Sequence, residues 1–186
     1  MNRKNAIGII ELSSIHKGFE VQNAVLQNAL VEKLIARTIC SGKYVIIVRG
    51  EIADVESCLE IAKSTGGFSI INAIIIPNVN ESLFPAIAGT TTLDSPKVDG
   101  LLIIETFSVA SAIKAADYAV KEADIILLRI HIAMAIGGKG LVVITGSIDA
   151  LKSALVPAIE YVKEDGMLVG YSLITDPHED LLKELI

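Results

Sequence analysis

The residues with the most chemical reach in this 186-residue chain are two cysteines, three histidines and two Gly-Lys loops. Cys40 stands at the end of an apolar run and is followed by Ser41-Gly42-Lys43, whereas Cys58 falls on the apolar stripe of a segment with helical spacing. Cysteine is among the most buried residue types, which assigns Cys58 to packing. Cys40 is open to two readings, a thiol that lines or packs a turn and a thiolate that ligates metal.

The second loop, Ile136-Gly137-Gly138-Lys139, is glycine-rich but lacks P-loop spacing and does not open a helix, which excludes nucleotide phosphate binding there. Its glycines suit either a close approach of backbones around an opening or an ordinary tight turn. His16, His131 and His178 are scattered, with neither the paired spacing of a zinc site nor a serine or cysteine arranged for nucleophilic catalysis. Glu11 and Glu105 recur as the same strand-end position in two copies, not as a carboxylate pair facing one substrate. No residue is assigned a catalytic role, and the chain is not read as an enzyme.

The elements that position these residues come in two sets. Sliding the chain by 94 residues lays Ile9-Ile10-Glu11 on Ile103-Ile104-Glu105 and Ala29 on Ala123; after a two-residue insertion, Gly42-Lys43 falls on Gly138-Lys139 and Gly50 on Gly146. Each copy opens with a short apolar strand, 6–12 or 100–106. A helix follows, marked by Val21, Ala24, Val25 and Ala29 or by Val109, Ala112, Ile113, Ala116 and Val120. Next come two strands joined by a glycine-bearing loop, 33–39 with 44–49 and 125–133 with 141–145. A second helix closes on Gly66-Gly67 or Gly166, the latter helix expected to kink at Pro157, before a last strand at 70–76 or 167–174. The order β-α-β-β-α-β, with an antiparallel sheet, gives two α+β sandwiches. The Thr-, Ser- and Pro-bearing stretch 89–99 reads as a linker, with domains at 1–92 and 93–186.

Composition narrows the functional classes. With 52% apolar residues and a mean hydropathy of +0.57, the chain has ample core, and a surplus of apolar surface in so small a domain points to an obligate oligomer. A net charge of -6, 4% aromatic residues and no basic cluster argue against a nucleic-acid surface. No apolar stretch reaches the length that spans a bilayer, and the opening Met-Asn-Arg-Lys-Asn lacks a leader pattern, so a cytoplasmic protein is expected.

Four local signatures resemble a known family, the bacterial microcompartment shell domain, twice over nearly the whole chain. They are Ala6-Ile-Gly-Ile-Ile-Glu11, Val45-Ile-Ile-Val-Arg-Gly50, Asp117-Tyr-Ala-Val-Lys-Glu-Ala-Asp-Ile125 and Asp176-Pro177-His178. The resemblance implies the unpermuted tandem subtype, in which a homotrimer supplies six domains and imitates a hexameric tile of a compartment shell within the cytoplasm. Within that subtype, Thr38-Ile-Cys-Ser-Gly-Lys43 is similar to the pore loop of propanediol-utilisation shell proteins that carry a [4Fe-4S] cluster, and His131-Ile-Ala-Met-Ala-Ile-Gly-Gly-Lys139 is similar to its relatives as well. A trimer would bring three Cys40 thiolates to one cluster on its axis, with Ser41, Gly42, Lys43, Ile136, Gly137, Gly138 and Lys139 around the cluster or pore. Lys121 matches the lysine that shell domains place at the tile edge, where the first copy has Gln27; Asp176, like Asn78, stands where many shell domains carry arginine, with His178 beside it. The implied function is a shell tile that passes electrons or iron across the shell, with other shell proteins and an interior redox enzyme as partners. A tile whose axial opening conducts metabolites is the first alternative, and a duplicated-domain sensor of small ligands the second.

Overall fold

A computed structural model of the chain describes residues 5–93, 98–132 and 135–185. Parts of the expected linker (94–97), the last residue of the strand expected at 125–133 and the Ala133-Met134 pair of the second loop lie outside the described residues, as do 1–4. The chain divides between Val79 and Asn80 into two units.

The first unit runs β1 (Ala6–Leu12), α1 (Ile15–Asn28), β2 (Glu32–Ile39), β3 (Lys43–Gly50), α2 (Ile52–Gly66) and β4 (Ile70–Ile76). Its strands form an antiparallel sheet in the order β2-β3-β1-β4. Strand side chains alternate between faces, so Ala6, Ile10 and Leu12 share a face with Tyr44, Ile46 and Val48. That face packs with Val21 and Val25 of α1 and Val55, Cys58, Leu59 and Ala62 of α2. Ile7, Ile9, Val45 and Ile47 on the opposite face are buried too, which is why β1 and β3 read as continuous apolar runs rather than alternating ones.

The second unit begins with a helix that the repeat pattern did not foresee, α3 (Leu83–Ala88). It continues through β5 (Gly100–Thr106), α4 (Val109–Glu122), β6 (Ile126–Ile132), β7 (Gly140–Gly146), α5 (Ile148–Glu164), β8 (Leu168–Thr175) and a further unforeseen helix, α6 (Glu179–Leu185). Its sheet has the matching order β6-β7-β5-β8. The contact division at Val79/Asn80 groups α3 with the second unit, since α3 packs along β6 and the Asn80 backbone N–H donates to Asp117 Oδ1 on α4 (3.0 Å); the expected domains, 1–92 and 93–186, place α3 with the first. At six and seven residues, α3 and α6 are too short to leave a helical periodicity that a pattern reading would register. α5 continues as one element through Pro157, although the ring removes one N–H from its ladder.

The copies differ most where helix meets strand. A Cβ placed on Gly18 of α1 would lie 2.2 Å from Tyr44 Cγ, so glycine is what admits the tyrosine ring, whose hydroxyl donates to Gln22 Oε1 at 2.6 Å. In the second unit the large and small partners are rearranged: Ala112 takes the helix position, and a Cβ on the strand residue Gly140 would lie 2.5 Å from Ala112 Cβ. One backbone approach is thus filled by two different side-chain pairs.

Candidate functional site

The first Gly-Lys loop folds as a tight turn between β2 and β3, and the described part of the second, 135–139, is a turn that leads into β7. Cys40–Gly42 form a short 3-10 turn between β2 and β3 in which Ser41 (φ 65°) and Gly42 (φ 69°) are left-handed. Such a conformation is uncommon for a serine and easy for glycine, so Gly42 lets the chain reverse after Cys40. The second turn repeats the device with Ala135 (φ 61°), Gly137 (φ 67°) and Gly138 (φ 80°). A Cβ on Gly42 or Gly137 would meet nothing within 4 Å, and both glycines are exposed, whereas Gly138 is buried.

Each turn is tied back to its own sheet by an ion pair. Lys43 Nζ donates to Glu11 Oε1 at 2.9 Å and Lys139 Nζ to Glu105 Oε1 at 2.8 Å, so the recurrence of Glu11 and Glu105 has a structural cause. The pairs differ in solvation: the Glu11 side chain is 0% exposed and Lys43 20%, whereas Glu105 and Lys139 are each 39% exposed. Lys43, the residue expected beside an anionic cluster, meets the buried Glu11 carboxylate, which ties the turn carrying Cys40 to β1.

The two thiols separate as expected. Cys40 is half-buried at the turn, while Cys58 is fully buried on α2, and burial pushes its thiol up to about 11. Among the described residues no three His, Cys, Asp or Glu side chains gather to hold a metal within one chain. At this turn a single chain contributes one half-buried cysteine, and the donor set of a cubane fits the site only where copies of the turn converge.

The residues expected at a tile edge lie in two places in each copy. Lys121 forms an ion pair with Asp117 on the last turns of α4, and the corresponding residues of α1, Gln27 and Asn23, form a neutral amide pair (Nδ2 to Oε1, 3.3 Å). Asp176 (φ 51°) and Asn78 (φ 49°) both occupy left-handed turns after their last strands, a conformation that short polar side chains tolerate better than arginine does. His178 follows as a helix cap, its Nδ1 accepting from the Asp180 N–H at 3.2 Å. Of the other histidines, His16 Nδ1 lies 3.0 Å from Ser14 Oγ and His131 lies on β6, far from a shared site in sequence and sheet position.

One cluster went unnoticed in the sequence. Lys114 Nζ lies 3.7 Å from the centroid of the Tyr161 ring, which in turn packs on Tyr118 (5.5 Å between centroids) where α4 crosses α5. Burial lowers the Lys114 ammonium and raises the Tyr161 phenol, Asp165 adding to the latter by hydrogen bond and charge. The first copy has Glu20 and Ala24 at the places of Lys114 and Tyr118, so the repeat carried no signal for it.

Comparison with known proteins agrees with this architecture. The BMC domain model matches residues 6–79 and 101–177, one copy in each unit. The chain is 38% identical over 181 residues to the bacterial microcompartment shell protein PduT of Citrobacter freundii, covering 97% of both. The crystal structure of a microcompartments protein from Desulfitobacterium hafniense DCB superposes with a TM-score of 0.85 at 38% identity, covering 96% of this chain and 98% of that one. A fused permuted hexameric shell protein of the RMM microcompartment shares the fold at 20% identity, with a TM-score of 0.64 over 85% of this chain and 81% of that one. The chain therefore belongs to the BMC domain family and carries two unpermuted copies of the domain in tandem.

Proposed function

We propose that the protein is a structural shell protein of a bacterial microcompartment, within the cytoplasm, whose homotrimers form pseudohexameric tiles and hold one [4Fe-4S] cluster on the threefold axis. The observation that carries the tile reading is the pair of complete BMC domains in one chain, matched along nearly its full length by shell-protein relatives. Exposed apolar surface supports assembly. Ile15, Phe19 and Leu26 form a stripe along α1 and stay exposed, while the counterparts of the first two on α4, Val109 and Ile113, are buried. A soluble chain leaves such a stripe open when another copy is to cover it.

The cluster reading rests on Cys40. Three symmetry-related thiolates would each bind one iron of a cubane, whose own threefold axis coincides with that of the trimer, and a ligand from outside the protein or a Ser41 hydroxyl would serve the fourth. When bound, the cluster would supply one-electron transfer or iron transfer across the shell. The chain's own part is to hold Cys40 in place: the left-handed Ser41-Gly42 pair turns the backbone, and the Glu11–Lys43 ion pair fixes the strand that follows. Partners are other shell proteins at the edges around Lys121, Gln27, Asp176 and His178, together with an interior redox enzyme. A metabolite-conducting tile is the second reading, favoured by the exposed positions of Gly42 and Gly137 in the two turns.

Native mass and electron microscopy test the tile. A trimer that forms flat sheets or tubes at high concentration is expected; a discrete oligomer that never forms arrays would point to a sensor instead. Anaerobic reconstitution with iron and sulfide separates the two tile readings, because only the cluster reading predicts broad visible charge-transfer absorbance.

A further inference from the structure

The second unit carries a cavity of about 220 Å³ where the ends of α3 and α6 meet β6. Its walls are of two kinds. Ala88, Leu128 and Leu185 supply an apolar side, and Gly89, Thr91 and Arg129 a polar one. α3 ends at Gly89, which is left-handed (φ 70°) and donates its N–H to Pro85 O, so the chain turns off the helix beside the cavity with no side chain to fill it.

Both polar side chains of the cavity lack partners among the described residues. Thr91 Oγ1 is buried without a hydrogen bond, whereas its neighbour Thr90 Oγ1 donates to Pro85 O (3.5 Å). A buried hydroxyl left unpaired costs stability, so an orphan of this kind marks a place that a bound molecule completes. Ser82 and Ser111 hold orphaned hydroxyls as well, but neither lines the cavity. For Thr91, rotation about χ1 is enough to turn the hydroxyl toward the cavity. Arg129 is exposed, and no described carboxylate lies within ion-pair distance of it, while Lys121 and Lys139 of the same unit are paired with Asp117 and Glu105. Nor does the repeat impose an arginine here. The pairing slips between Lys33 and Ile35 on β2 and between Leu127 and Arg129 on β6, which sets Arg129 in the place of Ile35.

We infer that this cavity binds a short aliphatic carboxylate, one per chain. The Arg129 guanidinium presents a planar pair of donors that matches the two oxygens of a carboxylate, and the Thr91 hydroxyl donates to one of them. The carbon chain then lies against Leu128 and Leu185, which an inorganic anion would leave uncovered. Size sets the length of that chain. At about 30 Å³ for each water-sized group, 220 Å³ admits roughly seven non-hydrogen atoms, which suits butyrate and excludes a nucleotide or a sugar phosphate. The site is built from the second unit alone, so it stands or falls apart from the trimer and the cluster.

Saturation-transfer NMR on the full chain, with butyrate as the probe, tests it. Wild-type protein is expected to bind butyrate saturably in the millimolar range, and 1-butanol, the same chain without the carboxylate, roughly tenfold more weakly. Arg129→Gln should lose butyrate affinity by the same roughly tenfold factor. Thr91→Val should lose less, with no fall in melting temperature, because its hydroxyl has no partner to give up in the free protein. Arg37→Gln removes an exposed arginine of the first unit and leaves the affinity unchanged, which controls for net charge. Absence of saturable butyrate binding, butanol bound as tightly as butyrate, or equal losses in Arg37→Gln and Arg129→Gln would each overturn the site.

Discussion

The two Glu–Lys pairs are a built-in comparison of the same interaction at two depths of solvation. Glu11→Gln keeps the shape of the side chain and removes the charge that Lys43 meets at 2.9 Å in a carboxylate environment 0% exposed. Breaking one partner of a buried pair costs about 3–5 kcal/mol; Lys43, 20% exposed, recovers part of its hydration, which brings the expected loss to about 2–3 kcal/mol. Glu105→Gln removes the equivalent charge where both partners are 39% exposed, and the loss there is at most about 1 kcal/mol. Urea unfolding of both variants at matched protein concentration, followed by circular dichroism, reads the difference. For a slope of about 2 kcal/mol per molar urea, Glu11→Gln shifts its midpoint by about 1–1.5 M and Glu105→Gln by at most about 0.5 M. Equal shifts, or a larger one for Glu105→Gln, would refute the argument that burial of Glu11 is what anchors the turn carrying Cys40.

Other expectations are read by simpler means. Gly18→Ala forces a Cβ into the Tyr44 ring and is expected to cost about 1–3 kcal/mol in the same urea assay. Gly170→Ala on β8, where an added Cβ meets nothing within 4 Å, stays within about 0.5 kcal/mol. Thiol labelling by a maleimide at neutral pH, on folded protein first stripped of iron with a chelator, should modify Cys40 and spare Cys58 until denaturant is added; prompt labelling of both would contradict the burial of α2's inner face. Because burial raises Cys58 from its usual value near 9 to about 11, the unfolded thiol ionises first as pH rises. The folded state therefore loses stability between about pH 9 and 11. Cys58→Ala should show a flatter stability profile across that window, and an identical slope would argue against the shift.

Much of this architecture is legible in the sequence because the domain is written twice. Strand and helix positions follow from period and punctuation, and the 94-residue offset checks each assignment against its copy. The cores of β1 and β3 read as unbroken apolar runs for the same reason that they are buried on both faces. What escaped is what periodicity cannot encode. α3 and α6 hold fewer than two turns of repeating pattern, so neither registers as a helix in the sequence. The Lys43–Glu11 pair spans 32 residues, and its signal was the joint recurrence of Glu and Gly-Lys in both copies, visible but read as separate strand-end features. The Lys114–Tyr161 stack exists in one copy alone, so no comparison of copies could find it.

The central claim, a shell tile that holds a cluster through Cys40, is tested most directly by electron paramagnetic resonance with iron and sulfide quantification on anaerobically purified wild-type and Cys40→Ala proteins. The account predicts about four irons and four sulfides per trimer and a cluster signal in the wild type, with both lost in Cys40→Ala while the trimer persists. Intact trimers without iron in either protein, or iron retained after Cys40 is removed, would contradict it.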